Sequence, residues 1–255
     1  MKKNICHVIF STNRLNFLYR TLASLRKINY DNLTVDHILI DDYPMDRNNN
    51  LFKEILVQHN FDEIILHEEN KGLTKTWQEF FEYIKDRDYD YIFHNEDDVE
   101  VLCQINIREL IELLENDSSL SQLQLKRNNW YQHETENIGI TENDFIYKNY
   151  RYEKNGDYFW MLMSLYPSWI AREPILETTN HNPSEYVIAK YLKEKYGQYN
   201  SGIVKTISGY HIVDHIGDYS HGKRVAENEP GWDMFKYYHP EKKYCSRTGK
   251  EWNAN

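Results

Sequence analysis

The sequence predicts an α/β fold, a mostly parallel sheet flanked by helices with a smaller mixed portion toward the C-terminus. Three observations lead there. Over the first hundred residues, short apolar runs alternate with helical apolar patterns at intervals of roughly 25–35 residues, the rhythm of βαβ units. A chain of 255 residues, 40% apolar and 15% aromatic, is large enough to build a full core without disulfide or metal staples. No internal repeat, low-complexity tract or Pro/Gly linker divides it, so one domain is expected over residues 1–255.

The elements follow in order. Ile5–Phe10 reads as a first strand. Leu15, Leu18, Leu22, Leu25 and Ile28 recur every three or four residues and give a helix over 15–28, capped by Thr12 or Asn13. Val35–Ile40 is a second strand and ends in Asp41, Asp42, Tyr43 and Pro44; Glu63–Leu66 is a third. After Gly72, Trp77, Phe80, Phe81 and Ile84 share one face of a helix over 73–85. Tyr89–His94 is a fourth strand and runs into Glu96, Asp97 and Asp98. Ile105–Leu114 follows as a helix and Leu120–Leu125 as a strand. Residues 127–158 are polar and aperiodic and read as an excursion over the cleft, before 159–170 returns to the core. Asn182, Pro183 and Glu185 have the order of a helix start, Asn as cap and Pro at the first position, for a helix to about Tyr196. Val204–Ile207 and Tyr210–His215 are short strands ahead of a polar, aromatic tail.

Thirty basic against forty acidic side chains, a net charge of −10, exclude a protein that coats nucleic acid. Cys6, Cys103 and Cys245 are odd in number and lack metal-site spacing, which fits reduced thiols in the cytoplasm. The apolar stretch after Lys2 and Lys3 is too short for a secretory signal, and 159–170 is too short and too interrupted to span a membrane.

In a parallel sheet, ligands bind at the carboxyl ends of the strands. Ser11–Arg14, Asp41–Asp42 and Glu96–Asp98 should therefore line one crevice. Side chains of an extended segment alternate, so Glu96 and Asp98 share a face and Asp97 points away, toward a sugar hydroxyl. Two carboxylates on one spot repel unless a cation lies between them, and oxygen ligands suit Mn2+ or Mg2+. The competing reading of Glu96–Asp98 is a solvated turn after a buried strand.

Four segments in this order, VIFSTNRLNFLYRTLASL, ILIDDYP, HEENKGLTKTW and YIFHNEDDVEV, resemble the glycosyltransferases of family 2, which have the GT-A fold. The resemblance is strong over residues 5–102 and looser over 159–221. It implies an inverting transferase that uses a nucleoside diphosphate sugar, most often of UDP, with Mn2+ or Mg2+, and a glycan or glycoconjugate as acceptor. It divides the chain into a nucleotide-binding half at 1–104, an acceptor-side half at 105–221 and a tail at 222–255. Carried over by residue, Ser11, Thr12 and Arg14 lie by the nucleotide, Asp41 or Asp42 by the base, and Asn70 and Lys71 beside the donor. Asp97 reaches the ribose or donor sugar, and Asp98 binds the metal with Glu96 in the place of the family's first Asp. Tyr43 and Pro44 depart from the usual motif.

The resemblance also implies a general base at a helix start after a core strand. Glu185 is the first candidate there, with Asp157, Glu173 and Glu177 in reserve; its competing role is that of a capping-box Glu. A histidine after the last strand often completes the metal site in this fold, and His215 is preferred over His221, with Lys223 and Arg224 near enough in sequence to offset diphosphate charge. Trp130, Tyr131, Tyr147, Tyr150, Tyr152, Tyr158 and Trp160 either stack on sugar rings or anchor a long loop. Two other functions compete. A sugar nucleotidyltransferase needs a Gly-rich loop that STNRLNF lacks; a catalytically degenerate GT-A module would bind a glycan or protein without turnover.

Overall fold

The structure is a computed structural model and describes residues 2–12, 14–42, 49–127, 144–155, 159, 161–173, 185–196 and 201–216, with the side chains of residues 74 and 185–187 excepted. Asn13, Tyr43, Pro44, Trp130, Tyr131, Asp157, Tyr158, Trp160, Glu177, Asn182, Pro183, His221, Lys223, Arg224 and Cys245 lie outside the described residues.

In chain order the elements are β1 (Lys3–Ser11), α1 (Leu15–Ser24), β2 (Ile28–Asn29), β3 (Leu33–Asp41), α2 (Asn50–Gln58), β4 (Glu63–Leu66), α3 (Leu73–Lys85), β5 (Tyr91–Glu96), β6 (Val99–Val101), β7 (Ile105–Asn106), α4 (Ile107–Asn116), β8 (Gln122–Leu125), β9 (Phe145–Tyr147), β10 (Tyr150–Asn155), β11 (Met163–Pro167), α5 (Ser168–Ala171), α6 (Glu185–Tyr196), β12 (Ser201–Thr206) and β13 (Val213–His215). Among the described residues nine strands form one sheet in the order β4-β3-β1-β5-β11-β8-β12-β10-β9. The first four run parallel, as the βαβ rhythm requires. Beyond β5 the sheet is mixed, with antiparallel pairs except for β8 and β12.

Alternation along β1 explains the layers. Cys6, Val8 and Phe10 face the side covered by α3, α5 and α6, where Trp77, Phe80, Ile84, Ile170, Ile188 and Leu192 are buried. Ile9 faces the other side, with Leu18 and Leu22 of α1 and Phe52 and Ile55 of α2. Further along that second face, Ile107, Leu110 and Ile111 of α4 pack with Ile5, Phe93, Leu123 and Leu125. The apolar face predicted for α3 is the buried one.

Several boundaries differ from the sequence reading. The first helix ends at Ser24 in a short 3-10 turn over Leu25–Lys27, because Ile28 pairs in parallel with Ile105. Its N-cap is Arg14, and among the described residues no side chain caps it, so Thr12 does not serve as the cap. The fourth predicted strand runs from Tyr91 to Glu96 rather than from Tyr89, since its register with β1 pairs Ile5 with Tyr91 and Phe10 with Glu96. Helix α4 starts at Ile107, capped by Asn106, whose Oδ1 accepts the Glu109 N–H. Helix α2 was not expected, although Phe52 and Ile55 repeat at helical spacing behind the Asn49 cap. The largest correction concerns the excursion: residues 145–155 are not aperiodic but form the β9–β10 hairpin that closes the sheet edge, turning at Lys148 with φ +49°. Tyr150 and Tyr152 are core residues there. No helix among the described residues is long and apolar enough to cross a membrane.

Candidate active site

Strands β1, β3 and β5 end side by side. Ser11 is paired with Asp41 and Phe10 with Glu96, and the chain stays knitted beyond the strands, since Asp42 N–H donates to the Ser11 carbonyl and Asp97 N–H to the Phe10 carbonyl. The sheet therefore brings Ser11–Arg14, Asp41–Asp42 and Glu96–Asp98 to one edge.

The acidic segment is a turn rather than an extended run, because β5 stops at Glu96 and β6 starts at Val99. Two contacts hold that turn. Thr21 Oγ1 in α1 donates to the Asp97 carbonyl at 2.7 Å, and Ile216 N–H donates to the Asp98 carbonyl at 2.8 Å. The second belongs to the β6–β13 pairing, which sets His215 opposite Val99 and so beside Asp98. Glu96, Asp98 and His215 each offer a ligand atom within 4.8 Å of the others. His215 Nε2 stands 3.2 Å from Asp98 Oδ2. Two hard carboxylate oxygens and one imidazole nitrogen are a donor set that suits Mn2+ and accepts Mg2+ with water making up the rest.

Asp97 turns the other way and is fully buried. Its Oδ2 accepts from Ser11 Oγ at 3.1 Å, Thr12 N–H at 3.1 Å and Arg14 Nε at 3.2 Å, while Arg14 Nη2 donates to Oδ1. Arg14 Nη1 also reaches Asp98 Oδ2 at 2.5 Å. Burial pushes the Asp97 carboxyl up, to about 6, against the pull of the Arg14 guanidinium. Arg14, assigned to the nucleotide, thus sits between the two aspartates and balances them.

Asp41 is fully buried at the end of β3. The Asp42 carboxylate points along the edge to the 67–72 segment, where it accepts from His67 Nδ1 and Lys71 N–H, both at 2.9 Å, and from Gly72 N–H at 2.8 Å. Asn70 Oδ1 closes the same turn on Gly72 N–H at 2.9 Å, and Gly72 has φ +80°, a left-handed value that favours glycine. Lys71 Nζ pairs with Glu79 on α3 at 2.9 Å, and His67 Nε2 reaches the same carboxylate at 2.9 Å. Asn70 and Lys71 are exposed at the mouth. Glu185 opens α6, on the face of the sheet shared with Phe10 and Ile92. Glu173 is committed elsewhere, to Lys195 at 2.5 Å and Tyr191 at 3.0 Å.

Two residues of this edge escaped the sequence reading. His67 follows β4, and Arg127 follows β8 with its Nη1 at 2.9 Å from His215 Nδ1. Both stand where the strand-end rule would have found them, had it been applied to every strand.

A family model, glycosyl transferase family 2, matches residues 6–179. The chain belongs to that family. A comparison with curated proteins finds no match. Among solved structures, a mannosyltransferase from Pyrobaculum calidifontis in complex with GDP-Man and Mn2+ is similar over 88% of this chain at 8% identity, with a TM-score of 0.56. TarS of S. aureus is similar over 89% of this chain at 10% identity, with a TM-score of 0.50. The chain spans 61% of the mannosyltransferase and 39% of TarS. At such identities the likeness is one of fold, and the mixed sheet flanked by helices in this chain is of the GT-A type.

Proposed function

We propose that this glycosyltransferase moves a sugar from a nucleoside diphosphate sugar, with UDP as the nucleotide, to a hydroxyl of a glycan or other acceptor, with inversion. The observation that carries the reading is the convergence of Glu96, Asp98 and His215 at the ends of the strands. These three would hold Mn2+ or Mg2+, which supplies neutralisation of the charge that grows on a leaving diphosphate. GDP and Mn2+ accompany the similar mannosyltransferase, so GDP is the alternative nucleotide to test.

The chain's own residues have separate tasks. Asp97, buried beneath the site, fixes Ser11, Thr12 and Arg14 as the floor on which the ribose or the donor sugar would rest. Asn70 and Lys71, braced by Asp42, present the loop that flanks the donor. Glu185 takes the proton of the acceptor hydroxyl as its oxygen attacks the anomeric carbon from the face opposite the diphosphate. One displacement with one base inverts the configuration and needs no covalent intermediate.

Thermal unfolding with UDP, GDP, CMP or dTDP, each with and without Mn2+, tests the reading. Ligand at 100 times its dissociation constant should add ~2.7 kcal/mol. One nucleotide should stabilise strongly only with the metal, and Asp98→Ala should abolish that increment while the protein stays folded. If none stabilises with or without Mn2+, the donor site is misassigned; if Asp98→Ala keeps the increment, the metal assignment fails.

A further inference from the structure

Arg127 is nearly buried, 5% exposed, at the end of β8. Its backbone is held there by a bridge to Val213, while Lys126 O accepts the N–H groups of Ile212 and Val213. Its guanidinium Nη1 is 2.9 Å from His215 Nδ1, and the opposite ring nitrogen, Nε2, is 3.2 Å from Asp98 Oδ2. A guanidinium only donates hydrogen bonds, so the nitrogen facing Arg127 must be an acceptor. The proton of a neutral His215 then sits on Nε2 and is directed at Asp98. A nitrogen that carries a proton has no lone pair to give a cation.

We infer that Arg127 is a coupling residue of the donor site: its hydrogen bond to His215 and coordination of a cation through His215 Nε2 exclude each other, and a diphosphate relieves the conflict by drawing the guanidinium to itself. The inference rests on the reading of Glu96, Asp98 and His215 as cation ligands. Charge acts in the same direction. A divalent ion placed among those three has the Arg127 guanidinium as a like-charged neighbour, and an anion between the two turns repulsion into attraction. The backbone bridge keeps Arg127 at this rim, so a guanidinium released from His215 stays within reach of phosphate oxygens, which it binds in bidentate fashion. Cation and nucleotide therefore bind cooperatively, each raising the affinity of the other by the same factor.

Mn2+ binding, read from the EPR signal of the free ion, distinguishes this from a simple loss of a ligand contact. It is measured on the full chain and on Arg127→Met, alone and with saturating UDP or GDP. Arg127→Met should bind Mn2+ alone more tightly than the unaltered chain, and the tightening caused by nucleotide should shrink on the order of fivefold or more. Mn2+ affinity that is unchanged or weaker in the variant overturns the inference, whatever the nucleotide does. If the variant does not fold, 15N spectra of the unaltered chain decide instead, with the His215 signals identified by their loss in His215→Gln. The ion-free protein should show His215 protonated on Nε2, moving to Nδ1 when Mg2+ and nucleotide are added together; a proton on Nδ1 at the start overturns it. An unaltered chain that binds no Mn2+ under either condition removes the metal reading itself, and this inference with it.

Discussion

The Asp42 carboxylate and the Gly72 N–H, thirty residues apart, are joined by a 2.8 Å hydrogen bond, and the second Asp42 oxygen accepts the Lys71 N–H at 2.9 Å. One side chain at the end of β3 thus sets the backbone of the loop that opens α3. In the sequence, Asp42 reads as a nucleotide contact. Its geometry gives it a bracing role in which the loop, rather than the carboxylate, faces the mouth of the crevice.

Removal of that brace has a separable signature. Asp42→Ala takes the acceptor from the Lys71 N–H and the His67 ring, while the Gly72 N–H keeps Asn70 Oδ1, and should cost about 1–3 kcal/mol by denaturant unfolding. Gly72→Ala should cost ~1–3 kcal/mol through its backbone alone, φ +80° with ψ 155°, because an added Cβ meets nothing within 4 Å. Both variants should weaken nucleotide binding together with stability. Normal nucleotide affinity in a destabilised Asp42→Ala would show that the 70–72 loop takes no part in the donor site.

How much of this was legible in the sequence depends on range. The parallel half, α2 apart, was readable because its strands and helices carry their own apolar period, as in 5–10 and 73–85. The carboxyl-end rule then located Ser11, Asp41 and Glu96 without any structure. The β9–β10 hairpin was hidden because Arg151 and Glu153 place charges where an apolar period would be; Arg151 pairs with Asp144, and Lys205 of β12 bridges Glu153 and Asp144. Asp97 was expected to face a sugar hydroxyl, but its bonds to Arg14, Ser11 and Thr12 depend on the side-by-side arrangement of β1 and β5, which no local pattern encodes. The bond between Arg127 and His215 spans 88 residues and two sheets, and only the strand-end rule hinted at it.

Acid should loosen the hairpin through Asp117. This residue ends α4 and accepts from Tyr152 Oη at 2.8 Å, Ser119 Oγ at 2.6 Å and Lys154 Nζ at 2.8 Å. Burial pushes its carboxyl up, but Lys154, Ser119 and Tyr152 outweigh that and hold it down at about 2. The unfolded value is about 3.9. With the folded value depressed, the stabilisation is complete above the unfolded value and drains as pH falls toward the folded one. Asp117→Asn should therefore be less stable than the parent at pH 6, and the gap in urea midpoint should narrow below pH ~4. A gap of constant size from pH 6 to pH 3 would assign the loss to packing or hydrogen bonding instead of charge.

Glu185 can be tested without confusing its two readings. Gln fills the third position of a capping box as Glu does, so Glu185→Gln should leave unfolding within ~0.5 kcal/mol of the parent. As the general base, its loss should cut turnover ~100-fold or more with nucleotide affinity unchanged. Near-normal turnover would confine Glu185 to the helix start and pass the base to another carboxylate.

The Arg14–Asp97 pair supplies the last test, since both partners are poor in solvent: side-chain exposure is 15% for Arg14 and 0% for Asp97. Arg14→Met leaves the Asp97 carboxylate buried with only Ser11 and Thr12 as donors, and a buried charge deprived of its partner typically costs ~3–5 kcal/mol. Asp97→Asn in the Arg14→Met background removes the stranded charge and should recover a large part of that loss. Asp97→Asn alone should cost less than Arg14→Met, because Arg14 keeps Asp98 at 2.5 Å. Unfolding of these three variants beside the parent closes a double-mutant cycle, and a coupling energy near zero would mean that the fold does not depend on this pair. Nucleotide binding by the double variant then separates structure from function. A protein that regains stability and still binds no nucleotide assigns Arg14 and Asp97 to the donor site as well as to the floor beneath it.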